Sequence, residues 1–179
     1  KEGKVRAIEV KGNHQLSTKA ILGVMSLEPH IWSFLTGNNK FSDQAYQADR
    51  EAVRQLYFQH GLLQAKIIRH RAVWQGDDVD IHLVVQEGKP FYFKKMSIRG
   101  PKGMQAALQS ELLPLKKGTL YDHQKVRMVV KAMHHRLASQ GYAFVSVLPR
   151  IQLHPTQQRV DLRFEVHLGH RVMVRRIAF

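Results

Sequence analysis

An internal repeat constrains the fold of this chain more than any other feature of its sequence. The segment Val79–Val85 matches Val160–Val166, with a valine, an aspartate and an alternating apolar run in the same places. A second alternating segment occurs three times, at Val5–Val10, Phe93–Ile98 and Val174–Phe179. We therefore expect two complete units and the first strand of a third, in a piece of a longer protein. The expected boundaries are 1–88, 89–170 and 171–179.

The first unit predicts the element order β-α-α-β-β. After its opening strand, Ser17 or Thr18 can cap a short helix and Ser42 can cap a longer one. Leu63, Ala65 and Ile67 alternate with polar residues at the start of the segment Leu63–Val73, and Val79–Val85 alternates after a Gly-Asp-Asp turn. This pattern predicts a β-hairpin.

The second unit repeats this order. It predicts a helix around 104–113, a longer helix over 123–140 capped by Asp122, and strands over 143–153 and 160–166. Gly61 and Gly141 each follow the longer helix of their unit directly. We expect both glycines to end that helix in a left-handed conformation.

The positive charge is concentrated in the second unit. The chain has 28 Lys and Arg, 14 Asp and Glu, and a net charge of +14. Up to Gly88 it has 11 basic and 10 acidic residues, a net +1, whereas the remainder has 17 and 4, a net +13. Such an excess favours an anionic partner, which could be nucleic acid, anionic lipid or an acidic protein face.

Several classes of protein are excluded by composition and motif. The 44% hydrophobic content supports a packed core, while no apolar run approaches the roughly 18 residues of a membrane-spanning helix. The chain has no cysteine, which excludes disulfides and thiolate chemistry. Without a Ser-His-Asp arrangement or an HExxH motif, we expect no enzymatic activity, no metal site and no cofactor.

The order and spacing of the elements resemble POTRA domains, the periplasmic modules of BamA-type outer-membrane β-barrel assembly factors. The small and aromatic residues that carry the resemblance are Gly88, Gly100, Gly141, Tyr142, Ala143 and Gly169. The resemblance implies an α+β fold of two tandem POTRA units, each a three-stranded mixed sheet covered by two helices. The Trp-bearing segment Ile31–Gly37 resembles an insertion in the third of five POTRA domains, which implies the third and fourth positions for this pair.

The resemblance also implies a role. Such units form a non-enzymatic scaffold on the periplasmic side of the outer membrane, in a membrane-anchored protein. The implied partners are unfolded outer-membrane proteins, received partly by strand addition, and accessory lipoproteins. The charge of the second unit adds an anionic membrane surface as a third partner.

Strand addition requires a sheet edge with unpaired N–H and C=O groups. By resemblance, the second strand of each unit lies at such an edge. Pro149 removes one N–H from the strand of the second unit, so the strand of the first unit is the better candidate. The predicted binding residues are Leu63, Gln64, Ala65, Lys66, Ile67, Ile68, Arg69, His70 and Arg71. The alternative is an edge that its Lys and Arg side chains protect from aggregation.

Two other surfaces are candidates for partner binding. The first is the apolar cluster Trp32, Phe34 and Leu35. It would anchor a partner if it were exposed, or cover the helix pair if it folded back. We favour the folded-back arrangement, because an exposed cluster of this size would promote aggregation. The second surface is basic and would contact anionic headgroups or an acidic lipoprotein face, unless its charges only keep the chain soluble. Its residues are Lys116, Lys117, Lys125, Arg127, Lys131 and Arg136.

The element order also allows two alternative functions. KH domains share the order β-α-α-β-β and bind RNA through a GxxG loop between their helices. The only GxxG here, Gly100–Gly103, precedes the first helix of its unit, so we expect no nucleic-acid partner. The other alternative is the POTRA arm of a secretion transporter.

Overall fold

The computed structural model describes residues 3–29, 40–142 and 144–169. The chain divides into two units, Lys1–Lys89 and Pro90–Phe179, and each unit has its own mixed sheet. Both units combine a sheet with helices in the predicted order, and the predicted α+β class is confirmed. The segment 171–179, expected to begin a third unit, lies outside the described residues.

The described elements of the first unit are β1 Gly3–Lys11, α1 Thr18–Leu22, β2 Lys40–Phe41, α2 Asp43–Gln59, β3 Lys66–Gln75 and β4 Asp78–Gln86. Its strands form a sheet of order β2-β1-β4-β3, in which β1 is parallel to β4 and the other pairs are antiparallel.

The expected three-stranded sheet gains β2, a two-residue strand, in the first unit. The Phe41 side chain is buried, with its ring 5.6 Å from that of Tyr46 and 5.5 Å from that of Trp74. Burying this ring places the backbone of Lys40–Phe41 beside the start of β1, where the two segments pair.

The second unit forms the three-stranded sheet that was predicted, of order β5-β7-β6, with β5 parallel and β6 antiparallel to β7. Its described elements are β5 Tyr92–Arg99, α3 Met104–Leu108, a 3₁₀ helix Gln109–Leu112, α4 His123–Ser139, β6 Val145–His154 and β7 Arg159–Leu168. The helix expected over 104–113 thus changes to tighter 3₁₀ winding at Gln109. In the part of the chain that the structure describes, no helix is long and apolar enough to cross a membrane.

The predicted helix caps are present. The side chains of Ser17, Ser42 and Asp122 each accept a backbone N–H bond in the first turn of α1, α2 and α4. Gly61 and Gly141 follow α2 and α4 with φ of 79° and 89°, as expected.

The two longer helices end in the same way. The N–H of Gly61 bonds Phe58 O at 3.2 Å and the N–H of Leu62 bonds Tyr57 O at 3.0 Å. At the end of α4, Gly141 and Tyr142 make the corresponding bonds at 3.0 and 3.3 Å. Both are Schellman motifs, which satisfy carbonyl groups that a helix end leaves unpaired.

Two buried carboxylates hold the chain on either side of α1. Asp49 of α2, only 2% exposed, accepts bonds from the N–H and hydroxyl of Ser26 and from the N–H of Leu27. Glu87, 6% exposed, accepts bonds from the Tyr57 hydroxyl and from three backbone N–H groups of the loop before α1. The donors in that loop are His14, Gln15 and Leu16, at 2.9, 2.8 and 3.2 Å.

Candidate partner-binding surfaces

The outer strand of the first unit is β3, at one edge of its sheet. A two-residue turn joins Gln75 to its partner Asp78, so these residues close the hairpin as a hydrogen-bonded pair. Along an antiparallel ladder, hydrogen-bonded pairs alternate with pairs whose backbone groups point outward. Counted from Gln75, His70 and Ala72 fall in the outward-pointing pairs, so their N–H groups face away from β4. The edge therefore presents backbone donors to an incoming strand.

A β-bulge interrupts this edge. The pairing of β3 with β4 shifts between Ile67 and Arg69, and Ile68 is left 59% exposed. Bulges bend an edge strand and disrupt its ladder locally. The regular part of the edge is therefore Arg69–Gln75, which is shorter than the predicted binding segment.

The start of the predicted strand is wrong. Leu63, Gln64 and Ala65 form a turn before β3 instead of its first residues. The turn follows from the end of α2, because the N–H of Ala65 bonds Leu62 O at 3.1 Å and Leu62 is buried.

Two of these residues, Leu63 and Ala65, line a small cavity of about 120 Å³ beside α2. The other lining residues are the apolar Phe58 and Leu62 and the polar Arg54 and Gln55. Leu63 and Ala65 thus provide an apolar recess next to the edge instead of extending the edge itself.

Polar side chains of α2 meet the middle of β3. The Arg50 guanidinium contacts the Nε2 atom of His70, donates to Gln47 at 3.1 Å and lies over the Tyr46 ring, 5.3 Å from its centroid. Partial burial and the Arg50 charge lower the pKa of His70. Both effects favour the neutral imidazole, whose Nε2 atom can accept a bond from Arg50.

The edge strand of the second unit, β6, is regular where β3 is bulged. Its pairing with β7 runs without a shift from Val145 to His154 and includes Pro149 opposite Phe164. Proline is tolerated in an edge strand where its missing N–H would have pointed outward. This edge therefore lacks one outward donor, at the position that corresponds to His70 in the repeat.

The six predicted basic residues are all exposed, but they are not equivalent. Lys125 Nζ lies 4.0 Å from Asp122 Oδ2, and Arg136 Nη1 lies 3.5 Å from Glu111 Oε1. The other four form no ion pair with any described residue. These free cations are Lys116, Lys117, Arg127 and Lys131.

The remaining predicted cluster, Trp32, Phe34 and Leu35, lies outside the described residues. Sequence reasoning missed one exposed apolar side chain beside the basic residues, Met128 on α4, which is 64% exposed, and it missed the bulge that leaves the predicted residue Ile68 exposed. The helical spacing of α4 could have revealed Met128, whereas no pattern in the sequence signals the bulge.

Comparisons with known proteins support this architecture. The POTRA family model, described as a surface antigen variable number repeat, matches residues 3–88 and 91–169. Together the two matches cover nearly the whole chain.

Two curated relatives carry the same name, outer membrane protein assembly factor BamA. The protein of Neisseria meningitidis serogroup B is 29% identical over 181 residues, which span 99% of this chain and 23% of that protein. The protein of Buchnera aphidicola is 23% identical over 99% of this chain and 29% of its own length. The chain therefore spans less than a third of these relatives.

A solved structure gives the same result for the fold. The crystal structure of Haemophilus influenzae BamA POTRA3-5 superposes with a TM-score of 0.73 at 20% identity, over 98% of this chain and 70% of that chain. At this identity the likeness is one of fold.

Proposed function

The chain belongs to the POTRA family, as its repeat predicted, and from this membership we propose that it is a non-catalytic periplasmic scaffold in outer-membrane protein assembly. The similarity to BamA proteins over almost the whole chain supports this role. The long segment between the helices of the first unit supports the third and fourth positions in the parent protein. Its proposed partners are unfolded outer-membrane proteins and accessory lipoproteins.

The observation that carries the proposal is the proline-free outer edge of β3. Over Arg69–Gln75 its pairing with β4 is regular, and alternate backbone N–H groups face outward. An extended segment of an unfolded outer-membrane protein can extend the sheet there through main-chain hydrogen bonds. The recess lined by Leu63 and Ala65 would then receive an apolar side chain of that segment.

The two units allow a reciprocal test. His70 faces Leu83 in β4 and Pro149 faces Phe164 in β7, and these pairs occupy matching positions of the repeat. His70→Pro makes the first edge resemble the second, and Pro149→His restores the missing donor to the second edge. Both changes affect outward N–H groups, so the internal ladders are preserved.

The measurement is an amide NMR titration of the whole chain with a peptide of alternating apolar and polar residues. We expect the amides of β3 to shift in the natural chain, not those of β6, and to stop shifting in His70→Pro. Pro149→His should gain shifts in β6. Because His70 also contacts Arg50, His70→Ala serves as the control and should retain binding. Unchanged β3 amides at saturating peptide, or equal binding by His70→Pro, would refute strand addition at this edge.

A second contact is proposed for the second unit, on the basis of its net charge of +13. Its four free cations have no acidic neighbour to neutralise them among the described residues. They would attract an anionic surface of the assembly machinery, either an acidic lipoprotein face or the headgroups of the membrane.

A further inference from the structure

The outward face of α4 combines positive charge with an exposed apolar side chain. The buried residues of this helix are Val126, Val129, Met133 and Leu137. At about 100° per residue, the opposite stripe contains Gln124, Met128, Lys131, His135 and Ala138, all of which are exposed. Arg127 lies beside this stripe, one turn from Lys131.

No acidic residue occurs within α4. Among the described residues, the acidic side chains Asp122 and Glu111 pair with Lys125 and Arg136, and no acidic side chain pairs with Arg127 or Lys131. The equivalent helix of the first unit, α2, contains three acidic residues and two arginines. The basic face is therefore a property of the second unit and not of the fold.

Met128 distinguishes between the two kinds of anionic partner. It is 64% exposed and lies one turn from Lys131 on the same stripe. Long basic side chains can keep their charges at headgroup level while their stems and a neighbouring apolar side chain contact the acyl boundary. An acidic protein face would neutralise the cations without any need for Met128, whereas the acyl boundary of a bilayer offers this side chain an apolar environment next to the charges.

We propose that the outward face of α4 binds an anionic lipid bilayer. In this contact Arg127 and Lys131 lie at the level of the headgroups, and the Met128 side chain inserts between the headgroups toward the acyl boundary. This inference rests on the proposed anionic contact of the second unit and identifies its partner as a membrane. Lys116 and Lys117, in the loop before α4, add charge to the same unit.

The test is co-sedimentation of the whole chain with vesicles of phosphatidylcholine alone or mixed equally with phosphatidylglycerol. Each cation near an anionic surface contributes about fivefold to binding, so Arg127→Gln with Lys131→Gln should weaken binding about 25-fold. The matched control, Lys95→Gln with Lys102→Gln, removes the same charge from other exposed positions of the unit. This control should weaken binding less than about threefold. Equal losses in the two double variants would overturn the proposal.

The absence of cysteine allows a direct test of insertion. A single thiol from Met128→Cys, labelled with a polarity-sensitive fluorophore, should shift to the blue on mixed vesicles. The same label at Gln152→Cys, on the strand β6, should not shift. A label at position 128 that stays in water while the chain is vesicle-bound would overturn the insertion of Met128.

Soluble polyglutamate separates this inference from the broader proposal. Binding to polyglutamate without binding to mixed vesicles would overturn the membrane contact and leave the acidic protein contact as the function of this surface. Failure to bind either probe at low salt would refute both. Binding to mixed vesicles that persists when the salt concentration is raised would contradict the electrostatic contact, because the Debye length falls from about 8 Å at physiological ionic strength to about 3 Å at 1 M salt.

Discussion

The two units reach the same fold with different interiors around their first helix. In the first unit, Asp49 and Glu87 bind backbone N–H groups on either side of α1. In the second unit, the positions that match in the repeat are Val129 and Leu168, and Val129 is only 1% exposed.

This difference shows that the fold does not require the carboxylates. The second unit has the same order of helices and long strands with apolar residues at the matching positions. A carboxylate brings directional bonds to specific N–H groups, but it also makes the unit sensitive to the loss of its charge. Apolar packing has no such dependence on pH.

The largest expected effect comes from exchanging the two interiors at one position. Val129→Asp places a carboxylate in an apolar core, and Asp49→Val leaves three donors of Ser26 and Leu27 without their acceptor. Each change should lower the free energy of unfolding of its own unit by about 4 kcal/mol. Hydrogen exchange followed by mass spectrometry measures the stability of each unit separately. Destabilisation of both units by either change would contradict the expectation that each change affects only its own unit.

Glu87→Gln should have a smaller effect in the first unit. The amide keeps one acceptor oxygen but presents an NH₂ group to backbone donors, so we expect a loss of about 2–3 kcal/mol. Tryptophan fluorescence reports this unfolding, since both tryptophans, Trp32 and Trp74, precede Gly88. Gln86→Glu, one residue away and exposed, serves as the control and should change stability by less than about 0.5 kcal/mol.

The effect of Glu87→Gln should depend on pH. Burial alone would raise the pKa of Glu87, but the bonds from Gln15, His14, Leu16 and Tyr57 outweigh it and lower that pKa below its ordinary 4.5. A lowered pKa contributes stability that is complete above 4.5 and is lost as the pH falls through the folded value. The natural chain and the variant should therefore converge in acid, and a constant difference down to full protonation would exclude the charge as the cause.

The smallest expected effect is the same in both units, because it concerns a shared backbone feature. Gly61→Ala and Gly141→Ala should each cost about 1 kcal/mol, since both glycines adopt positive φ. Gly23→Ala is the control, because φ at Gly23 is −66°. Thermal unfolding measures all three variants, and unchanged midpoints for Gly61→Ala and Gly141→Ala would refute the capping role.

The elements of both units were predictable because their signals are local. Caps at Ser42 and Asp122, and glycines at the ends of α2 and α4, act within one helical turn. The candidate edge was predicted from strand alternation and family resemblance, but its start was placed three residues early. The alternation of Leu63 and Ala65 belongs to a turn, and only the bond from Ala65 to Leu62 distinguishes it from a strand.

The repeat, the order of elements, the caps and the unequal charge of the two units are readable from the sequence, since each depends on neighbouring residues or on composition. Which groups meet across long separations depends instead on how the folded chain packs. The bonds that the loop before α1 donates to Glu87 join residues more than 70 positions apart, and the bulge at Ile68 depends on the pairing of β3 with β4. Likewise, Arg127 and Lys131 differ from Arg136 because the packing of the 3₁₀ helix brings Glu111 to Arg136 alone.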